Sequence, residues 1–479
     1  MITLNKIIKN LGAIAFGDIF TRLTGMAITI LLARYLGPEN YGKYALVVSF
    51  CYIFVVIADF GIDTLTIKDV ARNHSIADNY VSFSFIVKPI LACLCICILN
   101  LLVWILRYPR DILMCMSIFS IHLIFITLSH AISSIFKAFE KMEYSSLIEI
   151  INGLVGILLI VILIYSNASL LEIIFSRVVA FFIAFLVAVF ILLKKFSKPS
   201  FKLNLSFIKE TLLHSVPFLT IGIVYVLYFK IDIIMLSKIK GNIYVGWYAP
   251  AANDIFFALF LIPRTITSVM FPVFSRHFGT SLESFRKSTN FTIKILTVLG
   301  SATTVGTIFF APQIIYFIFG KKYENSIIVL QIIASGITFV FLRDVLSYSL
   351  TAAEKVKTVM WINLFTLLLN VFLNAIFIPL YAHIGAALTS VTCLFISFIL
   401  NYYYLQVNIH GIALSKNIIK SVLSAMIMIL FIYLFRNVSV SLLIFSGAAI
   451  YLFAIFSLKT FDYSEISLLR NAITIKSSS

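Results

Sequence analysis

The chain has 479 residues, of which 61% are hydrophobic and 12% charged, and it carries a formal net charge of +17 with a mean hydropathy of +1.06. Soluble domains are nearer half apolar and about a quarter charged, so a water-soluble enzyme of this size is excluded: it could not hide so much apolar surface. About 14 helices of about 20 residues, each long enough to cross a bilayer, account for the apolar share, and the expected fold class is an all-α polytopic membrane protein.

In chain order the first apolar stretch, 11–33, is too long for the core of a signal peptide, and another span follows at once. Further spans are expected at 44–62, 81–106, 112–136, 145–165, 171–193, 212–236, 244–268, 291–311, 326–350, 359–379, 385–405, 421–435 and 441–458. The thirteenth is short. No connection is long enough to hold an extramembrane domain, and no phosphate-cradling loop ending in Gly-Lys-Ser/Thr appears, which argues against a built-in ATP motor. An even number of spans puts both termini on one side. Most of the 37 Lys and Arg fall in loops on that side, and such loops resist translocation, so both termini are expected in the cytoplasm. The same bias explains the positive charge through orientation and attraction to anionic lipid, not through nucleic acid.

Span one carries Ala13, Gly17, Thr21, Gly25, Thr29 and Ala33 every four residues, a small-residue strip suited to close helix packing. Beside it Asp18 and Arg22 stand one turn apart and can pair. Such a pair either staples helices internally or faces a wet cavity; the cavity is the favoured reading. Span three holds Cys93, Cys95 and Cys97, which resemble a metal cluster in sequence, but a helix throws the middle one onto another face. They read as packing residues, and no metal or cofactor is expected. His122 and His130 in span four lack an acidic or cysteine ligand pattern and read as packed or hydrogen-bonded.

A basic stretch with Lys194, Lys195, Lys198, Lys202 and Lys209 separates two apolar blocks that resemble each other. At an offset of 204, Leu32, Arg34, Gly37, Gly42, Tyr44 and Ala45 fall on Leu236, Lys238, Gly241, Gly246, Tyr248 and Ala249, and Arg72 falls on Arg276. At an offset of 214, Ala138, Glu140 and Lys141 fall on Ala352, Glu354 and Lys355. The paired elements are six spans apart, so both blocks insert in the same orientation. Parallel repeats about an axis along the membrane normal suit a two-lobed transporter with a central cavity. The expected domains are an N-terminal lobe at 1–193, a basic cytoplasmic linker at 194–211, a C-terminal lobe at 212–405, and 406–479 as two appended spans with a cytoplasmic tail.

Ionisable groups inside spans cost about 2.5–3.5 kcal/mol on insertion scales, so they face a partner or a water-filled pathway. Span seven has Pro217 and Gly222 followed by Tyr225, Tyr228 and Asp232 at helical spacing, with Lys230 turned well away from Tyr228. Arg264 follows Pro263 in span eight, and Arg343 and Asp344 are adjacent in span ten. Lys88, Arg177 and Arg264 stand without a sequence-local acid, and snorkelling towards a helix end fits Lys88 and Arg264 best. Asp59 reads as a solvated helix terminus. Within spans Arg22, Lys88, Arg177, Lys230, Arg264 and Arg343 are balanced by Asp18, Asp59, Glu149, Asp232, Asp254 and Asp344, so only their distribution over faces can make a cationic cavity.

The chain resembles the polysaccharide-exporting branch of the multidrug/oligosaccharidyl-lipid/polysaccharide flippase superfamily, the Wzx-type O-antigen flippases. The resemblance rests on Arg34-Tyr-Leu-Gly37-Pro38-Glu-Asn-Tyr41-Gly42, Asp59-Phe60-Gly61, Ala71-Arg72 and Ala138 to Lys141. It continues through Asp232 with Gly246-Trp-Tyr248, and through Asn374, Pro379 and Gly385-Ala386-Ala387. It implies two six-helix lobes and two C-terminal helices, no catalysis, and alternating access that carries an undecaprenyl-diphosphate-linked repeat unit across the bacterial inner membrane. A bidentate guanidinium suits a diphosphate, which selects Arg22, Arg264 and Arg343 as substrate-binding, with Tyr225, Tyr228 and Lys230 alongside for the glycan. Energy in this superfamily comes from an ion gradient, so Asp18, Asp232 and Asp344 are candidates for coupling to H+ or Na+. The expected partners are the lipid-linked oligosaccharide, membrane lipid, and polysaccharide polymerase and chain-length proteins. Two other functions stay open: an ion-coupled multidrug exporter, against which the two extra spans weigh, and a membrane glycosyltransferase or polymerase, whose large outer loop or Asp-x-Asp motif this chain lacks.

Overall fold

The structure, a computed structural model, describes residues 4–196, 204–412, 415–436, 438–458 and 460–461, with side chains at Gly17 and from Phe20 onward except 415–417. The side chain of Asp18, Lys198 and Lys202 of the basic linker, and the C-terminal tail expected to be cytoplasmic therefore fall outside what is described.

Helices make up nearly all of the described chain, and the described residues contain no strand. In order they are α1 Leu4–Asp59, α2 Ile62–Arg72, α3 Ala77–Ile105, α4 Arg110–Ser120, α5 His122–Ala138, α6 Met142–Tyr165, α7 Leu170–Lys195, α8 Leu205–Lys240 and α9 Asn242–Ala249. A π-helical turn, Pro250–Ile255, leads into α10 Phe256–Leu259, α11 Leu261–Thr280, α12 Leu282–Ile318, α13 Ser326–Ser335, α14 Ile337–Ala352, α15 Val356–Ile409, α16 Ser415–Leu434 and α17 Val440–Ser457. Each expected span lies on one or more of these helices. Among the described residues ten are long and apolar enough to cross a membrane, and α13 with α14, bent by 43°, make an eleventh if counted as one.

Two of the long helices are each two rods joined at a kink. A straight helix of the length of α1 would run about 80 Å, far beyond a hydrocarbon core of about 30 Å. It breaks at Gly37, whose φ of 71° with ψ of 174° favours a residue without a Cβ. Pro38 then opens the second rod, where a missing N–H costs nothing. The 54-residue α15 breaks at Ala382 (φ 51°, ψ −125°). Just beyond, Gly385 sits so close to the Phe377–Ile378 backbone that a side chain would not fit. Large apolar side chains such as Trp104, Leu158, Phe190 and Phe445 are more than half exposed, as expected for helices solvated by lipid.

The helices gather into two units, one of Met1–Ala249 with Ile318–Tyr323 and one of Pro250–Phe317 with Glu324–Ser479. In the first, α1 packs on α6, α8 and α9, and α5 packs on α2, α3, α6 and α7. Its core includes Val70, Tyr80, Ile132, Phe136, Ile148, Ala188 and Leu192. The α1–α6 contact uses part of the small-residue strip: Gly17 lies against Ser146, and Gly153 of α6 receives Thr24, whereas Gly25 faces open space. In the second unit, α14 packs on α11 and α15. There α16 and α17 lie together on α12 through Val298, Phe310, Met428, Ile432, Leu443 and Ile455, and the Tyr451 hydroxyl is 2.8 Å from that of Ser301.

The internal resemblance of the sequence has a backbone counterpart. Gly37 and Gly241, paired at offset 204, both have positive φ with ψ of 174° and 172°. Glu140 and Glu354, paired at offset 214, are both left-handed, at φ 57° and 62°. The turns around them close identically: Lys141 N–H donates to Phe136 O at 2.8 Å and Lys355 N–H to Leu350 O at 2.9 Å.

Candidate functional site

Among the described residues, one group of polar and charged side chains in each unit includes residues selected from the sequence. In the first unit, α1, α6, α7 and α8 supply Thr21 and Tyr52, Glu149, Arg177, and Lys230. The Thr21 hydroxyl donates to Glu149 at 3.3 Å. The Lys230 ammonium lies 5.6 Å from the centre of the Tyr52 ring, a cation–π arrangement. Glu149 and Arg177 both act electrostatically on Tyr52. Arg177 reaches this region because Gly156 of α6 has no side chain: a Cβ there would occupy the place of the guanidinium Nη1. The Arg177 guanidinium also stacks 5.3 Å above Phe181, and its Nη1 is buried without a hydrogen-bond partner among the described residues.

Of the residues selected from the sequence, Arg22 is half-buried on α1, one residue beyond Thr21. Tyr225 is nearly half exposed and Tyr228 half-buried, both with rings against Phe229 at 5.0 and 5.4 Å. Asp232 does not share their setting. It is buried in the packing of α8 against α9 and accepts the Tyr248 hydroxyl at 2.8 Å. The tyrosine stripe and the carboxylate therefore diverge along α8.

In the second unit Arg264 of α11 and Arg343 and Asp344 of α14 are brought together. The Thr267 hydroxyl, one turn after Pro263, donates to Asp344 at 3.0 Å. Both arginines act electrostatically on that buried carboxyl. Arg264 is exposed and Arg343 half-buried, and the carboxyl on which both act is tied down by a hydroxyl. The chain enters α10 and α11 through the π-helical turn at Pro250–Ile255, an irregularity that leaves carbonyls outside the usual ladder.

Several functional candidates were missed by sequence reasoning. Glu149 and Arg177 are separate ions on successive helices, and only Gly153 and Gly156, one turn apart on α6, signal a close approach there. Lys88 does not snorkel: it is fully buried and ion-paired to Asp59 at 2.8 Å and Asp63 at 2.6 Å, so Asp59 is not a solvated terminus. His122 is packed, its ring 4.2 Å from that of Phe119 and 5.0 Å from that of Phe181. Cys95 is buried while Cys93 and Cys97 are exposed, so helical spacing does separate them. Among the described residues no group of three or more His, Cys, Asp or Glu is placed to hold a metal ion.

The polysaccharide biosynthesis protein family profile matches residues 7–278, and a MatE profile matches residues 217–376. The chain is 24% identical over 408 residues to the capsular polysaccharide biosynthesis protein CapF of Staphylococcus aureus, covering 83% of this chain and 98% of that protein. Among solved structures it is similar to the lipid II flippase MurJ in an inward closed conformation, with a TM-score of 0.80 and 16% identity over 94% of this chain and 99% of that one. It is also similar to an inward-facing multidrug resistance MATE family transporter, with a TM-score of 0.68 and 15% identity over 81% and 94% of the two chains. These likenesses fix the fold as that of a multi-pass membrane protein. On the extent of the profile match, the chain belongs to the polysaccharide biosynthesis protein family, in the polysaccharide-transporter branch of the multidrug/oligosaccharidyl-lipid/polysaccharide superfamily.

Proposed function

We propose that the protein is a flippase that carries a polyprenyl-diphosphate-linked polysaccharide repeat unit, O-antigen or a related glycan, from the cytoplasmic to the periplasmic leaflet of a bacterial inner membrane. Both termini lie in the cytoplasm, the N-terminal lobe (1–193) and C-terminal lobe (212–405) alternate access, and an H+ or Na+ gradient supplies the energy. The observation that carries this reading is that Arg264 and Arg343 both act on buried Asp344, which gives a polysaccharide-family membrane chain two guanidinium groups within electrostatic reach of one carboxyl. A guanidinium donates two parallel hydrogen bonds to a diphosphate and remains charged in an apolar setting. Asp344 keeps the pair from repelling when no substrate is bound. In the first unit Arg22 and Lys230 supply further positive charge, and Tyr225 with Tyr228 offers rings and hydroxyls to sugars.

The test is leaflet transfer in proteoliposomes of a fluorescent polyprenyl-diphosphate oligosaccharide, read by its accessibility to a membrane-impermeant reagent. Wild type should transfer the lipid, and Arg264→Ala and Arg343→Ala should lose transfer at least about 100-fold, as expected for loss of paired charge contacts, while still inserting. Full transfer by both variants rejects their role. No transfer by the wild type, together with raised drug tolerance of cells that overproduce it, favours the multidrug-exporter reading, to which the MatE match over residues 217–376 points.

A further inference from the structure

The side chain of Lys88 on α3 is completely buried. Its ammonium donates to Asp59 at 2.8 Å, to Asp63 at 2.6 Å and to the backbone carbonyl of Thr127 at 3.4 Å. Three acceptors match the three N–H groups of an ammonium, and they come from three different elements: the last residue of α1, the first turn of α2 and the middle of α5. The charges, however, do not balance. Two carboxylates, 21% and 19% exposed, and one fully buried ammonium would leave a net negative charge next in sequence to Ile62 and Val87 of an apolar cluster, where an uncompensated ion is expensive. The two carboxyl groups also stand close to each other, because both touch the same ammonium nitrogen. Carboxyl groups in that relation ordinarily share one proton, since both cannot be ionised together at such a separation.

The surroundings leave few other sources of compensation. α1 contributes Asp59, α2 Asp63, α3 Lys88 and α5 His130, which acts on Asp59 from a distance. α8 contributes hydrocarbon at Phe207, Ile208 and Leu212. The lysine ammonium already occupies the place between the carboxylates that a sodium ion would take, which leaves a proton as the missing charge.

The position of this cluster gives the proton something to move. Asp59 and Asp63 flank the joint between α1 and α2, where Phe60 and Gly61 both have positive φ. Gly61 rests directly on the backbone of α8: a Cβ there would stand 2.6 Å from Ser215 O and 2.7 Å from Leu219 N. Between those two contacts lies Pro217, which cannot donate to the helical ladder and so weakens α8 at that turn. α8 continues to Tyr225, Tyr228 and Lys230.

We propose that Asp59 and Asp63 hold one exchangeable proton between them with Lys88 as the fixed counter-charge, and that this proton keeps the α1–α2 joint closed against the Pro217 turn of α8. At low pH the shared proton is present and α2 is held. As pH rises and the proton leaves, two facing carboxylates repel, Asp63 moves away with α2, and Gly61 releases α8. The site itself does not depend on what the protein transports; its use as the coupling site for H+ rests on the flippase reading.

Hydrogen exchange of the purified full-length protein in nanodiscs, expressed as protection factors across a pH series, separates the two. For the wild type the amides of 62–72 should lose protection about tenfold or more as pH rises, consistent with a local opening, and the same step should appear without substrate. Asp63→Asn, whose amide can hydrogen-bond to Asp59 but cannot ionise, should hold α2 protected at every pH; Asp59→Asn gives the same outcome if the first variant does not fold. Infrared difference spectra between the ends of the series should show a carboxylic C=O band in the wild type that is absent from either variant. Protection of α2 that is constant with pH in the wild type, or a step that persists in Asp63→Asn, overturns the proposal. So does a step that moves with sodium concentration, which would assign a metal cation. Failure of lipid transfer with the exchange step intact would count against the flippase reading and leave the proton site standing.

Discussion

Gly42 of α1 and Gly246 of α9, equivalent positions of the repeated motif, face each other within the first unit. A Cβ added to Gly42 would meet the Gly246 nitrogen at 2.8 Å and overlap Asn242 O, and one added to Gly246 would overlap Pro38 O. Each copy of the motif thus supplies the notch into which the other copy's backbone fits. The same corner is closed by the Tyr323 hydroxyl, which donates to Ala33 O at 2.7 Å, and by Arg34 Nε, which donates to Ile318 O at 2.8 Å.

Because the obstacle on both sides is backbone, it cannot swing aside as a side chain would. Gly42→Ala and Gly246→Ala should each destabilise the protein by about 1–3 kcal/mol, the usual range for overpacking, lowering the thermal midpoint in detergent. Gly25→Ala is the control: nothing lies within 4 Å of its added Cβ, and α1 is helical there, so its midpoint should stay level or rise. Equal losses in all three would mean that close approach is not what these glycines provide.

The fold was legible because apolar runs bounded by charge, proline or glycine are strong signals, and the repeat was legible because glycines and turn residues resist chance matching. Gly37 with Gly241 and Glu140 with Glu354 were paired by spacing, and both pairs share a backbone conformation. What could not be read was which ions meet. Lys88 lies 29 and 25 residues from its two acids, across the break at Phe60–Gly61 where helical periodicity stops. Arg177 and Glu149 stand on consecutive helices, so their approach depends on how α6 and α7 rotate about their axes. Asp232 and Tyr225 share a nominal stripe on α8, yet α9 covers only the carboxylate end.

Gly156 and Arg177 make a second pair whose test is functional. Gly156→Ala should evict the guanidinium from its place beside Tyr52, so its transport phenotype should match that of Arg177→Ala. Overpacking should cost no more than about 1–3 kcal/mol, leaving a folded protein. Transport of the labelled lipid by both variants, with insertion checked by chromatography in detergent, decides the matter. A Gly156→Ala protein that transports normally while Arg177→Ala does not would show that the arginine works from another rotamer.

Thr267→Val keeps the size of the side chain but removes the donor to Asp344. A buried carboxylate that loses a hydrogen bond costs about 1–3 kcal/mol, and Asp344→Asn in the same background should recover much of that, because a neutral amide needs the donor less. A double-mutant cycle on thermal midpoints measures the coupling. Additive losses would mean that Asp344 is held by the arginines alone.

Tyr248→Phe tests the other buried carboxylate in the same way, and here the geometry predicts a larger effect on structure than on transport. The Tyr248 hydroxyl donates to Asp232 at 2.8 Å between buried side chains, so its loss should cost about 1–3 kcal/mol. Asp232→Asn retains an acceptor for that hydroxyl and should cost less.

The left-handed glutamates offer a prediction of the opposite sign. Glu354 pays for φ of 62° at the end of α14, a conformation that costs an L-residue about 1–2 kcal/mol and glycine very little. Its turn is held by backbone bonds, Glu354 N–H to Thr351 O at 3.1 Å and Lys355 N–H to Leu350 O at 2.9 Å, none of which uses the carboxylate. Glu354→Gly should therefore raise stability, by somewhat less than the full strain because glycine also frees the unfolded chain. At the equivalent turn Glu140 makes a further side-chain interaction, so Glu140→Gly trades that contact for relief and should gain less. Thermal midpoints that rise for residue 354 and rise less for residue 140 fit this account. A fall at residue 354 would mean that its carboxylate, and not the turn, is what the position conserves energy for.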